Sequence, residues 1–243
     1  MIIILFPKQQ DNMTMKIGIL TPTRGRPGEA LNMLQSAIVR AVDKDNIRLW
    51  FWIDEDDETI NDYATNFEDG PYSEWIGKII GPRTPLGKCW NKMAKADKSI
   101  DIYMMGNDDW IMATHGWDEI IRKEAKKYPD GIYVFYPHDM NDGKCTFPIV
   151  SSKWLETLGY LYPEIFEFLA HDTYAAQVGE KIGRLIKLPF TVDHKHFAFG
   201  KAKYDKTYSH WRETGATKRD VELLAKSQDL IETDAEKLKK VMK

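Results

Sequence analysis

Cysteine is scarce in this sequence of 243 residues, which contains 2 Cys, at positions 89 and 145. Two cysteines this far apart cannot supply a disulfide framework, and they do not form a pair at zinc-ligand spacing. We therefore expect Cys89 and Cys145 to be core or incidental residues of a chain from a reducing, intracellular compartment.

Long apolar runs are absent as well. The run at the start covers residues 2–6, far short of the ~20 residues that a membrane span requires. No basic residue precedes this run, so it does not resemble a signal peptide. We expect a cytoplasmic protein without a membrane anchor.

Neither sign of charge dominates the chain. It has 34 Lys plus Arg and 37 Asp plus Glu, a formal net charge of −3, whereas domains that bind duplex nucleic acid are usually clearly basic. Apolar residues make up 43% and charged residues 29%, which argues against disorder and indicates one large domain. Residues 200–243 carry 11 Lys plus Arg and 8 Asp plus Glu, a local excess that suits an anionic ligand such as phosphate.

Three common catalytic or nucleotide-binding motifs are also missing. The sequence contains neither a P-loop nor a Gly-x-Gly-x-x-Gly fingerprint, which removes the commonest ATPase and NAD-binding classes. A Gly-x-Ser-x-Gly elbow is absent, which weakens a serine hydrolase interpretation.

Short apolar runs alternate with helical patterns through the middle of the chain. Predicted strands cover residues 16–20, 49–53, 76–80, 100–105, 132–136 and 185–192, and predicted helices cover residues 28–40, 86–96 and 172–183. This alternation predicts a mostly parallel α/β sheet, in which ligands bind beyond the carboxyl ends of the strands. The loops 21–27, 54–58 and 106–110 should therefore meet at one edge.

Both ends of the chain differ from this pattern. Residues 1–14 look like a leader of unknown role. Residues 211–243 predict one or two amphipathic helices, with capping-box-like starts at Thr217 and Thr233. These helices could fold back on the body, join a dimer or lie on a membrane surface.

Two polar segments at predicted strand ends could bind a metal. Asn107-Asp108-Asp109 places adjacent carboxylates where hard divalent ions find oxygen ligands, although a solvated turn is the alternative. His194 and His196 point to the same face of an extended segment. One imidazole could join a carboxylate on an Mn²⁺-type ion, or both could belong to a surface turn.

Three further segments carry groups that could bind or react. Asp54 and Asp56 could accept hydrogen bonds from a base or a ribose, or be solvated loop acids. The loop 23–27 offers Arg24 and Arg26 for phosphate or for base stacking. Asp172 could cap a helix or act as a general base toward an acceptor hydroxyl.

Taken in order, these motifs resemble the nucleotide-sugar-dependent glycosyltransferases of the GT-A fold, especially small stand-alone members from bacteriophages. The resemblance runs from about residue 16 to about residue 208. It implies donor contacts at Pro22, Thr23, Arg24, Arg26, Asp54, Asp56, Gly87, Lys88, Asn91, Asn107, Asp108, Lys201 and Lys203.

The same resemblance assigns the remaining roles. Asp109 and the late histidines His194 and His196 match metal-ligand positions for Mn²⁺ or Mg²⁺, and Asp172 matches the base of inverting members. Asn107 replaces the usual first acid of the metal motif, and His171 replaces the usual Glu before the base. The implied domains are residues 15–210 for the glycosyltransferase and 211–243 for the helical tail.

The implied activity is metal-dependent transfer of a hexosyl or pentosyl group from a nucleoside-diphosphate sugar, most simply a UDP-sugar, to a hydroxyl. The acceptor could be a modified DNA base, a glycan or a protein, and a phage-encoded enzyme would act in the host cytoplasm. The alternatives are a sugar-phosphate nucleotidyltransferase and a non-catalytic sugar-nucleotide or glycan-binding module. Oligomeric state is not encoded in any motif.

Overall fold

The structure is a computed structural model that describes residues 14–141 and 143–243. The predicted leader lies outside these residues except for Thr14. Cys89 and Cys145 are both buried and free, as expected. No helix in the described part of the chain is long and apolar enough to cross a membrane.

Eight strands and nine α-helices are present in the described ranges. The strands are β1 (Ile17–Thr23), β2 (Ile47–Asp54), β3 (Ile76–Gly81), β4 (Ile102–Met105), β5 (Trp110–Met112), β6 (Val134–His138), β7 (Ile149–Ser151) and β8 (Leu185–His194). The helices are α1 (Pro27–Arg40), α2 (Ile60–Glu68), α3 (Leu86–Ala96), α4 (Trp117–Ala125), α5 (Ser152–Leu158), α6 (His171–Lys181), α7 (Lys206–Glu213), α8 (Ala216–Lys226) and α9 (Gln228–Lys239).

The strands form one sheet in the order β3-β2-β1-β4-β7-β6-β8-β5. Strands β3, β2, β1 and β4 are parallel to one another. Strand β7 runs antiparallel to both neighbours, and β5 runs antiparallel to β8. This arrangement confirms the α/β class and a Rossmann-like parallel half, with a mixed second half.

Alternation along β1 and β2 fills a core on each face of the sheet. Ile19 and Phe51 pack into one cluster with α1, whereas Leu20 and Trp52 pack into the other with α3. Since successive side chains of a strand point to opposite faces, this pattern fixes which face each helix covers. The carboxyl ends of β1, β2 and β4 are then left free for a site.

Strand β1 is longer than predicted. The predicted end of the strand at residue 20 is wrong, because the strand continues to Thr23 alongside β2. Strand β4 pairs with β1 only as far as Leu20. Pro22 therefore lies where one side of β1 has no strand partner, and its missing N–H is tolerated there.

Gly106 allows the chain to leave β4 across the end of β1. A Cβ at this position would lie 2.2 Å from Thr21 Oγ1 and 2.9 Å from the Leu20 carbonyl oxygen. Its N–H donates to that carbonyl at 2.8 Å. The close approach requires glycine and places the segment 107–109 directly beyond β1.

The C-terminal helices begin at other residues than the predicted caps. Helix α8 starts after Gly215 and α9 after Ser227. Thr233 is inside α9, where its hydroxyl donates to the Asp229 carbonyl at 2.7 Å. Ile231, Ala235 and Leu238 are fully buried in the core, so α9 folds back on the body of the protein.

Candidate functional site

A cavity of about 410 Å³ opens at the carboxyl ends of β1, β2 and β4. Eleven residues that the sequence nominated line it: Pro22, Thr23, Arg24, Arg26, Asp54, Asn107, Asp108, Asp109, Asp172, His194 and His196. The structure therefore brings together groups that are up to 174 positions apart in the sequence.

Six nominated residues do not line the cavity: Asp56, Gly87, Lys88, Asn91, Lys201 and Lys203. Lys201 pairs with Asp193 at 3.0 Å. Buried Asn91 donates to the Tyr162 carbonyl and accepts from the Leu161 N–H, each at 2.9 Å. The amide of Asn91 is thus used to hold the loop between α5 and α6.

Gly87 contributes to the cavity indirectly, because it leaves space for His171. A Cβ there would lie 2.7 Å from His171 Nε2, and His171 lines the cavity. The His171 ring is also packed edge-on against Trp90 and Phe166. Burial holds its pKa down at about 3, so this imidazole is neutral.

Asp109 and His194 face each other in the cavity wall. Asp109 Oδ1 lies 3.4 Å from His194 Nε2, and both side chains are about nine-tenths buried. Neither atom has a hydrogen-bond partner, and His194 Nδ1 also lacks one. Buried polar atoms without hydrogen bonds are costly, so a ligand that contacts both side chains would stabilise the site.

The second oxygen of Asp109 is held by Tyr208 of α7. The Tyr208 hydroxyl donates to Asp109 Oδ2 at 2.8 Å. Burial and the charge of Asp109 raise the pKa of Tyr208, so the hydroxyl keeps its proton. Burial alone raises the pKa of Asp109, but His194 and Tyr208 outweigh it and leave the pKa lowered. Asp109 is therefore an anion that aims Oδ1 at His194.

His196 differs from His194 in its hydrogen bonding. Its Nδ1 accepts from the Ala198 N–H at 3.2 Å. A neutral imidazole has one acceptor and one donor nitrogen, so Nε2 of His196 carries the proton. Burial lowers the pKa of His196, which favours this neutral form.

Arg26 ties the loop after β1 to two other segments. Its guanidinium donates to Asp108 Oδ1 at 3.0 Å and to Asp205 Oδ2 at 2.7 Å. It also lies 4.5 Å from the centre of the Tyr208 ring. Burial opposes its charge, but these carboxylates keep its pKa raised. Arg26 therefore anchors α7 beside Asp109.

Asp108 turns away from its neighbour Asp109. Its Oδ2 accepts from Thr23 Oγ1 at 2.8 Å, while Oδ1 accepts from Arg26. Burial raises the pKa of Asp108. The adjacent carboxylates thus have separate roles, with Asp108 bonded to the protein and Asp109 facing the cavity.

Arg24 and Asp54 form the other end of the cavity. Arg24 donates to Asp54 Oδ2 at 3.1 Å and also pairs with exposed Asp56. Asp54 Oδ1 accepts from Trp52 Nε1 at 3.2 Å. Burial raises the pKa of Asp54. Asp54 is the carboxylate that reaches the cavity, whereas Asp56 balances the charge of Arg24 from outside.

Asp172 lies in the first turn of α6 and lines the cavity. Its Oδ1 accepts from the Thr173 N–H at 2.6 Å. Burial raises its pKa above the ordinary carboxyl value. Ala170, the residue before α6, has φ 75°, a left-handed conformation that is uncommon for a residue with a side chain.

The described residues contain no group of three or more His, Cys, Asp or Glu side chains spaced for a metal. Asp109 Oδ1 and the His194 nitrogens, which lack hydrogen bonds, nevertheless suit a divalent cation whose shell ligand and water oxygens would complete.

Sequence reasoning missed several cavity residues. Tyr208, Trp211, Arg83 and Asp139 all line it. The segment 204–211 contains four aromatic or imidazole rings and a capping residue, Asp205. This density of rings is the sequence signal that could have indicated a helix in contact with a ligand. Asp205 caps α7 through the N–H groups of residues 207 and 208.

No family model matches this chain, and no curated protein matches its sequence. Several solved structures match its fold. The mannosyltransferase PcManGT from Pyrobaculum calidifontis, in complex with GDP-Man and Mn²⁺, matches with a TM-score of 0.62 at 11% identity over 83% of this chain. S. aureus TarS matches with a TM-score of 0.55 at 10% identity over 74% of the chain. TarS 1–349 in complex with UDP gives 0.55 at 11% over 73%.

The chain spans 61%, 37% and 60% of these three proteins, respectively. Such low identity establishes the fold alone. The fold is that of GT-A-like glycosyltransferases.

Proposed function

We propose that this GT-A-like chain is a metal-dependent glycosyltransferase that moves a sugar from a nucleoside-diphosphate sugar to an acceptor hydroxyl. The observation that carries the proposal is the position of Asp109 Oδ1 and His194 Nε2, which are buried in the cavity wall 3.4 Å apart and have no hydrogen bond. The complexes of similar structures with GDP-Man and Mn²⁺ and with UDP support it.

Asp109 and His194 would hold the cation. Between the two nominated histidines we favour His194 as the ligand, because His196 Nδ1 already accepts a backbone hydrogen bond. A bound Mn²⁺ or Mg²⁺ supplies Lewis-acid neutralisation of the charge on the departing diphosphate. The protonated Nε2 of His196 can donate a hydrogen bond to a phosphate oxygen.

Asp54 and Arg24 would recognise the nucleoside. The carboxylate of Asp54 accepts from a base N–H or a ribose hydroxyl, and Arg24 opposes the rise in its pKa that burial causes. Pro22, Thr23 and Asn107 also line the cavity. We expect UDP or GDP as the nucleotide, since both bases present an N–H beside a carbonyl.

Asp172 would act as the general base. It takes the proton of the acceptor hydroxyl as the oxygen attacks the anomeric carbon and the bond to the diphosphate breaks. Its raised pKa brings the carboxylate closer to a working pH near neutrality, where a placed base contributes ~10²–10⁴ in rate. Direct attack inverts the anomeric centre. The acceptor is a glycan, a protein or a hydroxylated nucleobase such as those of phage DNA.

The test is release of nucleoside diphosphate from a panel of UDP- and GDP-sugars with the purified chain and Mn²⁺. We expect slow release to water in the presence of metal and loss of it with chelator. Asp109→Ala should abolish metal-dependent binding of the nucleotide, with Asp45→Ala as a control that removes an exposed carboxylate outside the cavity. Absence of both binding and release with every donor would refute the proposal.

Two other outcomes would identify the alternatives. Nucleotide binding without any release would indicate a binding module. Formation of a sugar nucleotide and pyrophosphate from a nucleoside triphosphate and a sugar 1-phosphate would indicate a nucleotidyltransferase.

A further inference from the structure

Helix α8 buries a carboxylate against the body of the protein. Its buried residues are Ala216 and Asp220. Val221 of its apolar pattern is 58% exposed, whereas Leu224 is partly buried against the core. A surface helix normally buries apolar residues and exposes its charges, so the buried carboxylate of Asp220 has a specific task.

Asp220 accepts three successive backbone N–H groups. Its Oδ1 bonds to Glu167 N at 3.0 Å, and its Oδ2 bonds to Phe168 N at 2.7 Å and to Leu169 N at 2.8 Å. Asp220 is 0% exposed. Hydrogen bonds to an ionised acceptor are stronger than neutral ones, so this carboxylate fixes the conformation of the loop.

The loop held by Asp220 leads directly into the cavity wall. Residues 168–172 all line the cavity, and they end at Asp172. Between the bonded amides and Asp172 lies Ala170 in its left-handed conformation. Such a conformation persists only when surrounding contacts impose it, and the bonds to Asp220 are immediately upstream.

We propose that Asp220 is a positioning residue that sets the orientation of Asp172 from outside the cavity. This inference rests on the proposed function, because it assigns Asp172 the role of base. Asp220 does not line the cavity, so it acts through the backbone of the segment 167–171. Loss of both carboxylate oxygens leaves three N–H groups without their acceptor and lets Ala170 relax, which displaces the carboxyl group at the start of α6.

The experiment compares Asp220→Asn with the wild-type chain. We expect kcat for sugar release to fall about 10- to 100-fold, the effect of a misplaced catalytic group, while affinity for the nucleoside diphosphate with Mn²⁺ stays within about twofold. Hydrogen exchange at amides 167–169 should become on the order of tenfold faster. Asp220→Ala should have a larger effect than Asp220→Asn, because it removes both oxygens.

Asp118→Asn is the matched control. Asp118 is also 0% exposed and accepts the N–H groups of Val42 and Asp43, each at 2.9 Å, but it does not line the cavity. It should lower the melting temperature without lowering kcat. An equal loss of kcat in Asp118→Asn would show general destabilisation and overturn the inference.

Two further results would overturn it. One is an Asp220→Asn chain whose kcat stays within twofold of the wild type. The other is exchange of amides 167–169 at unprotected rates in the wild-type chain, a measurement that remains decisive if the variants do not fold. Failure of the wild type to turn over any donor would instead count against the proposed function, and exchange would still report whether Asp220 holds the loop.

Discussion

Removing the hydroxyl of Tyr208 tests the cation site without altering either proposed ligand. In Tyr208→Phe the ring remains in contact with Arg26 and His196, but Asp109 Oδ2 loses its donor at 2.8 Å. Because the bond is buried and its acceptor is ionised, we expect its removal to cost about 1.5–3 kcal/mol.

At about 1.4 kcal/mol per factor of ten, this loss corresponds to roughly 10- to 100-fold weaker cation binding. The same range is typical when an outer partner of a metal ligand is removed. Asp109 would keep its charge but lose the bond that aims Oδ1 at His194. We therefore expect weaker but measurable Mn²⁺ binding.

Calorimetric titration of Mn²⁺ into the chain saturated with UDP or GDP measures the effect. Tyr204→Phe is the control, since Tyr204 is 44% exposed and its ring stacks on Tyr208 with centroids 5.9 Å apart. This control variant also loses a phenolic hydroxyl, but it leaves the bond from Tyr208 to Asp109 in place. Cation affinity within twofold of wild type in Tyr208→Phe would refute the view that Asp109 is oriented for a metal.

Two other predictions concern the base and the acid stability of the fold. Asp172→Asn should keep nucleotide affinity but lose sugar transfer; transfer at the wild-type rate would move the base to another residue. Burial alone raises the pKa of Asp130, but bonds from Arg184 and from the Lys243 N–H outweigh it and lower the pKa from 3.8 to about 2. Because the folded pKa lies below the unfolded one, this contribution is complete above about pH 4 and is lost as the pH falls toward 2. Between about pH 4 and pH 2, the free energy of unfolding measured with urea should fall by about 2 kcal/mol less in Asp130→Asn than in the wild type. An equal fall in both chains would contradict this role of Asp130.

Much of the fold follows from local patterns. Helix α3 has the predicted bounds, and β3 exceeds its prediction by Gly81 alone. In both, apolar spacing and the flanking turn residues agree, so local preference and packing favour the same result. Short elements such as β5 and β7 were not predicted, because three residues are too few to show a period.

The amphipathic pattern of the tail describes α9 better than α8. Ile231, Ala235 and Leu238 are buried as their spacing predicts. In α8, Leu224 packs against the core, but Val221 is exposed and Asp220 is buried, where its carboxylate accepts three backbone N–H groups. Hydrogen bonds to a distant loop leave no periodic trace in the sequence.

The sequence by itself determined which chemical groups end the strands: the arginines after β1, the acids after β2 and β4, and the imidazoles after β8. A parallel sheet brings such strand ends to one edge, so their meeting was predictable. Only the tertiary structure decided their separate roles. It turned Asp108 toward Arg26 and Asp109 toward His194, committed Asn91 to a loop, and brought in Tyr208 from 99 residues away. These outcomes depend on side-chain directions and on which donors are already used, and both are set when distant segments pack together.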